Sequence, residues 1–333
     1  MLLFPLQKHG EICPMIKIIA KFAFAITIIG WLLRSGKLDL SLISQILDHP
    51  FNLSIVICVA LINSLLTSYR WKLLLDNSET DRLPLSHTLR LTWIGIFFST
   101  VLPGAVTGDL IKLAYAKNIN KNSSGSFLLS SIFLDRILGL SGLIFVLGFF
   151  TSLNYHELVS KSNELAALIH FNLLLLFATF LFFISIFIHS SVQNFILYIT
   201  KKIPLAGEAL AKVFGKIWII GGNKKTIFFA VAISIVVQTI SVISFYYLVS
   251  PFAPNLSLAQ AFTFIPIGFI TIAIPISPQG LGVGHLIFAT LFSLYEIVNG
   301  ASLFNIYFVA TVIINLFGCI PYLTARSEKT INN

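Results

Sequence analysis

The fold turns on residues 88–116, TLRLTWIGIFFSTVLPGAVTGDLIKLAYA. The run is apolar enough to enter a bilayer, but it breaks at Leu102-Pro103-Gly104-Ala105-Val106-Thr107-Gly108-Asp109. Proline and glycine at this place free backbone N–H and C=O groups that lipid cannot satisfy. Such backbone is tolerated only where it is buried in protein or lines a wet cavity. The break is therefore a candidate for the working part of the molecule.

Working outward, uninterrupted apolar runs occupy 15–33, 52–75, 127–150, 165–189, 226–249 and 302–323. Each is long enough to cross, since about 20 apolar residues span a hydrocarbon core as a helix. A second interrupted stretch, 258–298, breaks at Pro275-Ile276-Ser277-Pro278-Gln279-Gly280-Leu281-Gly282. Lys and Arg accumulate on the cytoplasmic side of membrane proteins. With the N-terminus inside, the external loops carry only Arg34, Lys37 and Lys161. The internal segments then carry most of the remaining loop cations, from Lys8 and Lys72 to Lys224, Lys225, Arg326 and Lys329. That bias requires 88–116 to enter and leave on the cytoplasmic side as a re-entrant hairpin. The second stretch fits either a hairpin from outside or two complete spans, and both leave the C-terminus in the cytoplasm.

Composition agrees with lipid as the solvent. Hydrophobic residues make up 56% of the 333-residue chain and charged residues 11%, against about 25% charged in soluble domains. The 22 Lys+Arg against 13 Asp+Glu are explained by topology rather than by nucleic acid. Cys13, Cys58 and Cys319 lie far apart and form no disulfide or zinc pattern. The expected fold is an all-α polytopic membrane protein, a single integral domain with about six to eight transmembrane helices. One or two re-entrant or broken-helix hairpins would interrupt it. Its first half runs over 15–150 and breaks at 102–109; its second runs over 226–325 and breaks at 275–284. Two helices, a hairpin and a helix would then recur with opposite orientation, the plan of an inverted repeat. Between the halves, 190–225 reads as a cytoplasmic amphipathic linker, with Leu210, Val213, Phe214, Ile217 and Trp218 on one face.

Charges inside apolar segments are costly, about 2.5–3.5 kcal/mol each near a helix centre, and need partners or water. Arg70, Asp109, Lys112, Asp135 and Arg136 form such a cluster, all in the cytoplasmic half, with Arg90 at the start of the first broken stretch. Asp135 and Arg136 point about 100° apart around their helix. Arg136 therefore seeks a partner on another helix, and Asp109 is the natural one. Cations exceed carboxylates here, which leaves positive charge for an anion, and Gly104 and Gly108 precede Asp109 at a helix start suited to phosphate. At the second break, Ser277, Gln279 and His285 stand beside Gly280, Gly282 and Gly284. Gln238 and Asn315, both mid-span, read as interhelical hydrogen-bond partners. No metal-ligand spacing, HExxH, GxSxG or P-loop is present, and no cofactor is implied. Asp109 and Asp135 are the only pair suited to acid–base chemistry, and the ion-pair reading already claims them.

Several of these elements occur together in a known pattern: Arg70-Trp71, Leu102-Pro103-Gly104 with Gly108-Asp109 and Lys112, and Asp135-Arg136 with Gly139-Leu140. With Pro275, Ser277-Pro278 and Gly280-Leu281-Gly282-Val283, they resemble the lysylphosphatidylglycerol synthase transmembrane family, also called flippase-like, over residues 15–325. The resemblance implies movement of a lipid across the membrane. It gives no support for lysyl transfer, since no transferase domain is expected after the last span at Tyr322-Leu323. Carried onto this sequence, it points to Arg70, Asp109, Lys112, Asp135 and Arg136 as headgroup or gating residues. Many members carry an acidic residue just after the G-L-G-V element, where this chain has Gly284-His285.

The expected function is translocation of an anionic or amino-modified phospholipid, or a related lipid-linked headgroup, across the inner membrane, with both termini cytoplasmic. The membrane lipid is the expected substrate, and the expectation is of a transporter rather than an enzyme. A second expectation is an accessory subunit working with a partner synthase in lipid or glycan synthesis. A third is an intramembrane lipid transferase using Asp109 and Asp135.

Overall fold

The computed structural model describes residues 47–76, 83–102, 106–119, 123–161, 163–204, 207–273, 282–297 and 299–324. The expected span 15–33 lies outside them. So do Pro103 and Gly104 of the first break, and Pro275, Ser277, Pro278, Gln279 and Gly280 of the second. All regular structure among the described residues is helical. In chain order the helices are α1 Pro50–Leu75, α2 Leu85–Val101, α3 Thr107–Ile119, α4 Gly125–Leu153 and the short α5 Tyr155–Lys161. There follow α6 Asn163–Ile186, α7 Ser190–Lys201, α8 Gly207–Gly221 and α9 Lys224–Val249. The chain ends with α10 Leu258–Ala273, α11 Val283–Ser293, α12 Gly300–Leu316 and α13 Cys319–Thr324.

Helices start where local chemistry allows. Pro50 opens α1, where its missing N–H costs nothing. Ser124 Oγ accepts from the Phe127 N–H at the start of α4, and Asn223 Oδ1 accepts from Thr226 at the start of α9. Before α10, Ser257 and Gln260 cap each other reciprocally, side chain to backbone, at 3.2 and 2.9 Å. Five segments are long and apolar enough to cross a membrane: α1, α4, α6, α9 with its following turn, and α12 continued through α13. These coincide with the five uninterrupted runs that lie among the described residues. Outward faces carry large apolar side chains such as Phe51, Phe228 and Leu286, each more than two-thirds exposed (71–73%), as a lipid-facing surface requires.

Both broken stretches fold back on themselves. Gly108 on α3 lies against Gly95 and Ser99 on α2, so the two helices run antiparallel in close contact. Only glycine fits at 108, because a Cβ would overlap the Gly95 carbonyl oxygen and the Ser99 side chain. The second stretch behaves likewise. Gly268 meets Phe288, Phe264 meets Phe292, and the Thr263 and Tyr295 hydroxyls are 3.0 Å apart. Numbers rise on α10 as they fall on α11. Helix α11 has 11 residues, or roughly 16 Å at about 1.5 Å per residue, half of a bilayer core of about 30 Å. Gly282, at φ +80°, stops it from extending backward as an α-helix. The sequence leaves 258–298 open between a hairpin and two spans; among the described residues its two arms, α10 and α11, are antiparallel helices of 16 and 11 residues.

The order span, hairpin, span therefore occurs twice, as α1–α2/α3–α4 and as α9–α10/α11–α12. Packing is reciprocal: α4 lies on α10, α12 lies on α2, and α1 pairs with α9. Asn63 and Arg70 of α1 bond Ser241 and Ser234 of α9 respectively, so this central pair is antiparallel with matched seven-residue steps. Between the two sets, residues 190–221 form two helices rather than a simple linker. Helix α8 packs on α4 and α7, burying Ala211, Ile217 and Ile220 while Leu210 and Phe214 stay exposed. The apolar face expected from periodicity is thus divided between the protein interior and the surface.

Candidate functional site

The charged cluster assembles where α1, α3, α4 and α9 meet. Arg70 is 5% exposed, and its guanidinium forks onto Asp135: Nε donates to Oδ1 at 2.7 Å and Nη2 to Oδ2 at 3.1 Å. Two parallel charge-assisted bonds of this kind fix orientation as well as distance. Its remaining arm, Nη1, donates to Ser234 Oγ at 2.8 Å. Ser234 Oγ in turn donates to the Ala230 carbonyl at 2.8 Å. One turn further along α9, the Gln238 amide Nε2 donates to the Gly139 carbonyl on α4 at 3.1 Å.

The next residue on α4, Arg136, turns to the other side and pairs with Asp109 in the first turn of α3. Adjacent positions about 100° apart thus tie α4 to α1 on one side and to the hairpin on the other. Unlike Arg70, Arg136 is not enclosed; its side chain is 45% exposed, against 20% for Asp109. Lys112, one turn beyond Asp109, is 7% exposed. Its Nζ sits 3.7 Å from the centroid of the Trp71 ring, a cation–π seat. The Trp71 indole N–H donates to Ser131 Oγ at 3.2 Å.

All five cluster residues singled out in the sequence are therefore brought together. Both carboxylates are engaged by arginines, and the third cation, Lys112, rests on an aromatic face. Arg90 lies elsewhere on α2 and donates to the Pro321 carbonyl at 3.4 Å. His285 is not part of this site. Its ring stands edge-on to Phe304 at 5.1 Å, within the aromatic packing of α11 and α12. Asn315 lines a cavity between α1, α2, α9 and α12. Sequence reading missed Ser234 and the role of Trp71. A serine in an apolar span carries no signal of its own; only the seven-residue match between Arg70/Asn63 and Ser234/Ser241 marks it, and that match needs the pairing first. No group of His, Cys, Asp and Glu suited to a metal ion occurs among the described residues.

The geometry defines a class: a polytopic helical membrane protein whose first hairpin is tied to α4 by an ion pair and to α1 by a cation–π contact. The chain belongs to the family described as lysylphosphatidylglycerol synthase TM region, whose family model matches residues 18–319. No curated protein and no solved structure matches the chain.

Proposed function

We propose that the protein is a lipid translocase, resident in the cell's inner membrane with both termini in the cytoplasm, that moves a lipid bearing an anionic or amino-modified headgroup. The observation that carries this reading is the partly exposed Arg136–Asp109 pair joining the hairpin to α4. A phosphate can compete with Asp109 for the guanidinium, because Arg recognises phosphate and carboxylate with the same planar fork. Capture of a headgroup then loosens α3 from α4 while the buried Arg70–Asp135 pair keeps α4 on α1. Exchange of one ion pair for another couples substrate binding to hairpin movement with little net electrostatic cost. The surplus of cations over carboxylates in the cluster favours an anion at this place.

A transporter suits the arrangement better than an acid–base enzyme, since both Asp109 and Asp135 are held by arginines and neither is left to move a proton. The test is leaflet exchange of labelled anionic lipid in vesicles holding the purified protein. Arg136→Ala is expected to insert and fold but to lose exchange by at least about tenfold, the effect of about 1.4 kcal/mol on a barrier. Exchange at the wild-type rate by a folded Arg136→Ala protein would remove the pair from the mechanism.

A further inference from the structure

The two helices between the repeated sets, α7 and α8, carry a lopsided charge. Residues 190–225 hold six lysines, Lys201, Lys202, Lys212, Lys216, Lys224 and Lys225, against the single acid Glu208. Among the described residues none of the six enters an ion pair. Two rest on rings instead: Lys202 Nζ lies 4.3 Å from the Tyr198 ring centroid, and Lys224 Nζ 5.7 Å from that of Phe187. A cationic surface without internal counter-charges attracts an anionic one.

The same helices expose apolar surface. On α7, Val192, Phe195 and Ile199 fall within about 60° of one another around the axis, and all three are exposed. Ile203, just past the helix end, is exposed as well. Gln193 and Leu197 face α8 instead, while Ser190, Asn194 and Lys201 lie opposite the stripe. Helix α8 buries Ala211, Ile217 and Ile220 and turns Lys212 and Lys216, one turn apart, to a groove of about 450 Å³ shared with α7.

Short connections fix the level at which this pair sits. Helices α7 and α8 have 12 and 15 residues, about 18 and 22 Å at about 1.5 Å per residue, too short to cross. Residues 187–189 alone separate α6 from α7, and 222–223 alone separate α8 from α9. At about 3.5 Å per residue at most, neither the start of α7 nor the end of α8 can move far from the ends of those spans. The Trp218 indole N–H donates to the Ser185 carbonyl at 3.0 Å, holding α8 against the end of α6. Exposed apolar side chains reach the same level: Phe187 after α6, and Phe228 and Phe229 at the start of α9.

We infer that α7 and α8 form a docking surface for the anionic face of the cytoplasmic leaflet. The Val192–Phe195–Ile199 stripe enters the acyl boundary, and the lysines meet negatively charged headgroups, the division of labour of an interfacial amphipathic helix. The inference rests on the cytoplasmic placement proposed above and not on translocation. An acidic protein would satisfy the lysines alone; an apolar stripe tethered at the level where the spans emerge fits lipid. Each lysine near such a surface strengthens attachment about fivefold, and salt weakens the effect.

The test places a polarity-sensitive fluorophore on single cysteines, Phe195→Cys or Asn194→Cys, in the full chain lacking its native cysteines. The protein is reconstituted in phosphatidylcholine vesicles with or without phosphatidylserine, and depth is read by quenching from brominated acyl chains and from aqueous acrylamide. With phosphatidylserine, the probe at 195 should be quenched by the brominated chains and shielded from acrylamide, and the probe at 194 the reverse. Omitting phosphatidylserine, or combining Lys201→Gln, Lys202→Gln, Lys212→Gln and Lys216→Gln, should raise acrylamide quenching at 195 about fivefold or more. A salt titration of the unsubstituted lysines gives the same readout should the combined variant fold poorly. Equal quenching at 195 with and without phosphatidylserine would overturn the surface. Shielding of 195 that persists in detergent and grows with protein concentration would overturn it too, by making a second copy the occupant. Reaction of a Ser190→Cys protein with an impermeant maleimide outside intact cells would sink the cytoplasmic placement, whatever the depth of 195. Docking by a protein that exchanges no lipid leaves the surface standing and counts against the translocase reading alone.

Discussion

Arg70 and Arg136 differ in burial more than in chemistry, and their substitutions should differ accordingly. Removing one partner of a buried ion pair leaves an uncompensated charge and costs about 3–5 kcal/mol. Arg70→Ala strands Asp135 and also empties Ser234 of its donor, so it should lower the melting temperature strongly and reduce folded yield. Arg136 is half open to its surroundings, where a pair contributes about 0–1 kcal/mol, so Arg136→Ala should melt close to wild type. A thermal-shift comparison of the two detergent-solubilised variants checks this; equal losses would mean that both pairs are structural. At this scale the sequence was informative about the charged residues, because a charge in an apolar run must find a partner. The offset of Asp135 from Arg136 around α4 already separated their partners. It was silent on Ser234 and Trp71, whose roles exist only once α1 meets α9 and α3.

At the scale of elements, the hairpin α2/α3 depends on how closely two backbones approach. A Cβ at 108 collides with the Gly95 carbonyl oxygen and the Ser99 side chain, whereas one at 215, on α8, meets nothing within 4 Å. Gly108→Ala should therefore destabilise the fold, while Gly215→Ala should be neutral or add up to about 1 kcal/mol through helix propensity. Melting curves of the two single variants separate them, and a neutral Gly108→Ala would show that the hairpin can loosen without loss. The first apolar stretch is described as two helices, α2 ending at Val101 and α3 starting at Thr107, on either side of the Pro-Gly cluster that the sequence marks as poor lipid-facing helix. What the second break does was not legible, since charge bias is the same for a hairpin and for two spans. Helix α11 has 11 residues and begins after the left-handed Gly282. For the amphipathic region, periodicity reports only that a helix has an apolar side. It does not say which part of that side the protein buries: on α8, Ala211, Ile217 and Ile220 are buried while Leu210 and Phe214 stay exposed.

For the whole molecule, two sets of span, hairpin and span pack reciprocally around the antiparallel α1/α9 pair. That arrangement returns both ends of the α2/α3 hairpin to one side of the membrane. Single cysteines placed at Ser86 and at Ser124 in a background lacking Cys13, Cys58 and Cys319 should react with an impermeant maleimide from the same face in sealed vesicles. Labelling from opposite faces would turn the hairpin into a full crossing and invert everything downstream. Family membership and helical membrane architecture were within reach of the sequence alone; the antiparallel α1/α9 pairing was not, because Asn63, Arg70, Ser234 and Ser241 lie on separate spans with no shared motif.

The central claim is that the Arg136–Asp109 pair gates movement of lipid between leaflets. The most direct measurement is the rate of leaflet exchange of labelled phosphatidylglycerol in vesicles holding wild type, Arg136→Ala, or the double variant Asp135→Asn/Arg136→Ala. The account predicts exchange by wild type and none above protein-free vesicles for either variant, at comparable amounts of folded protein. Exchange that persists in the folded Arg136→Ala protein, or is absent from wild type across anionic and glycosylated lipids alike, would contradict it.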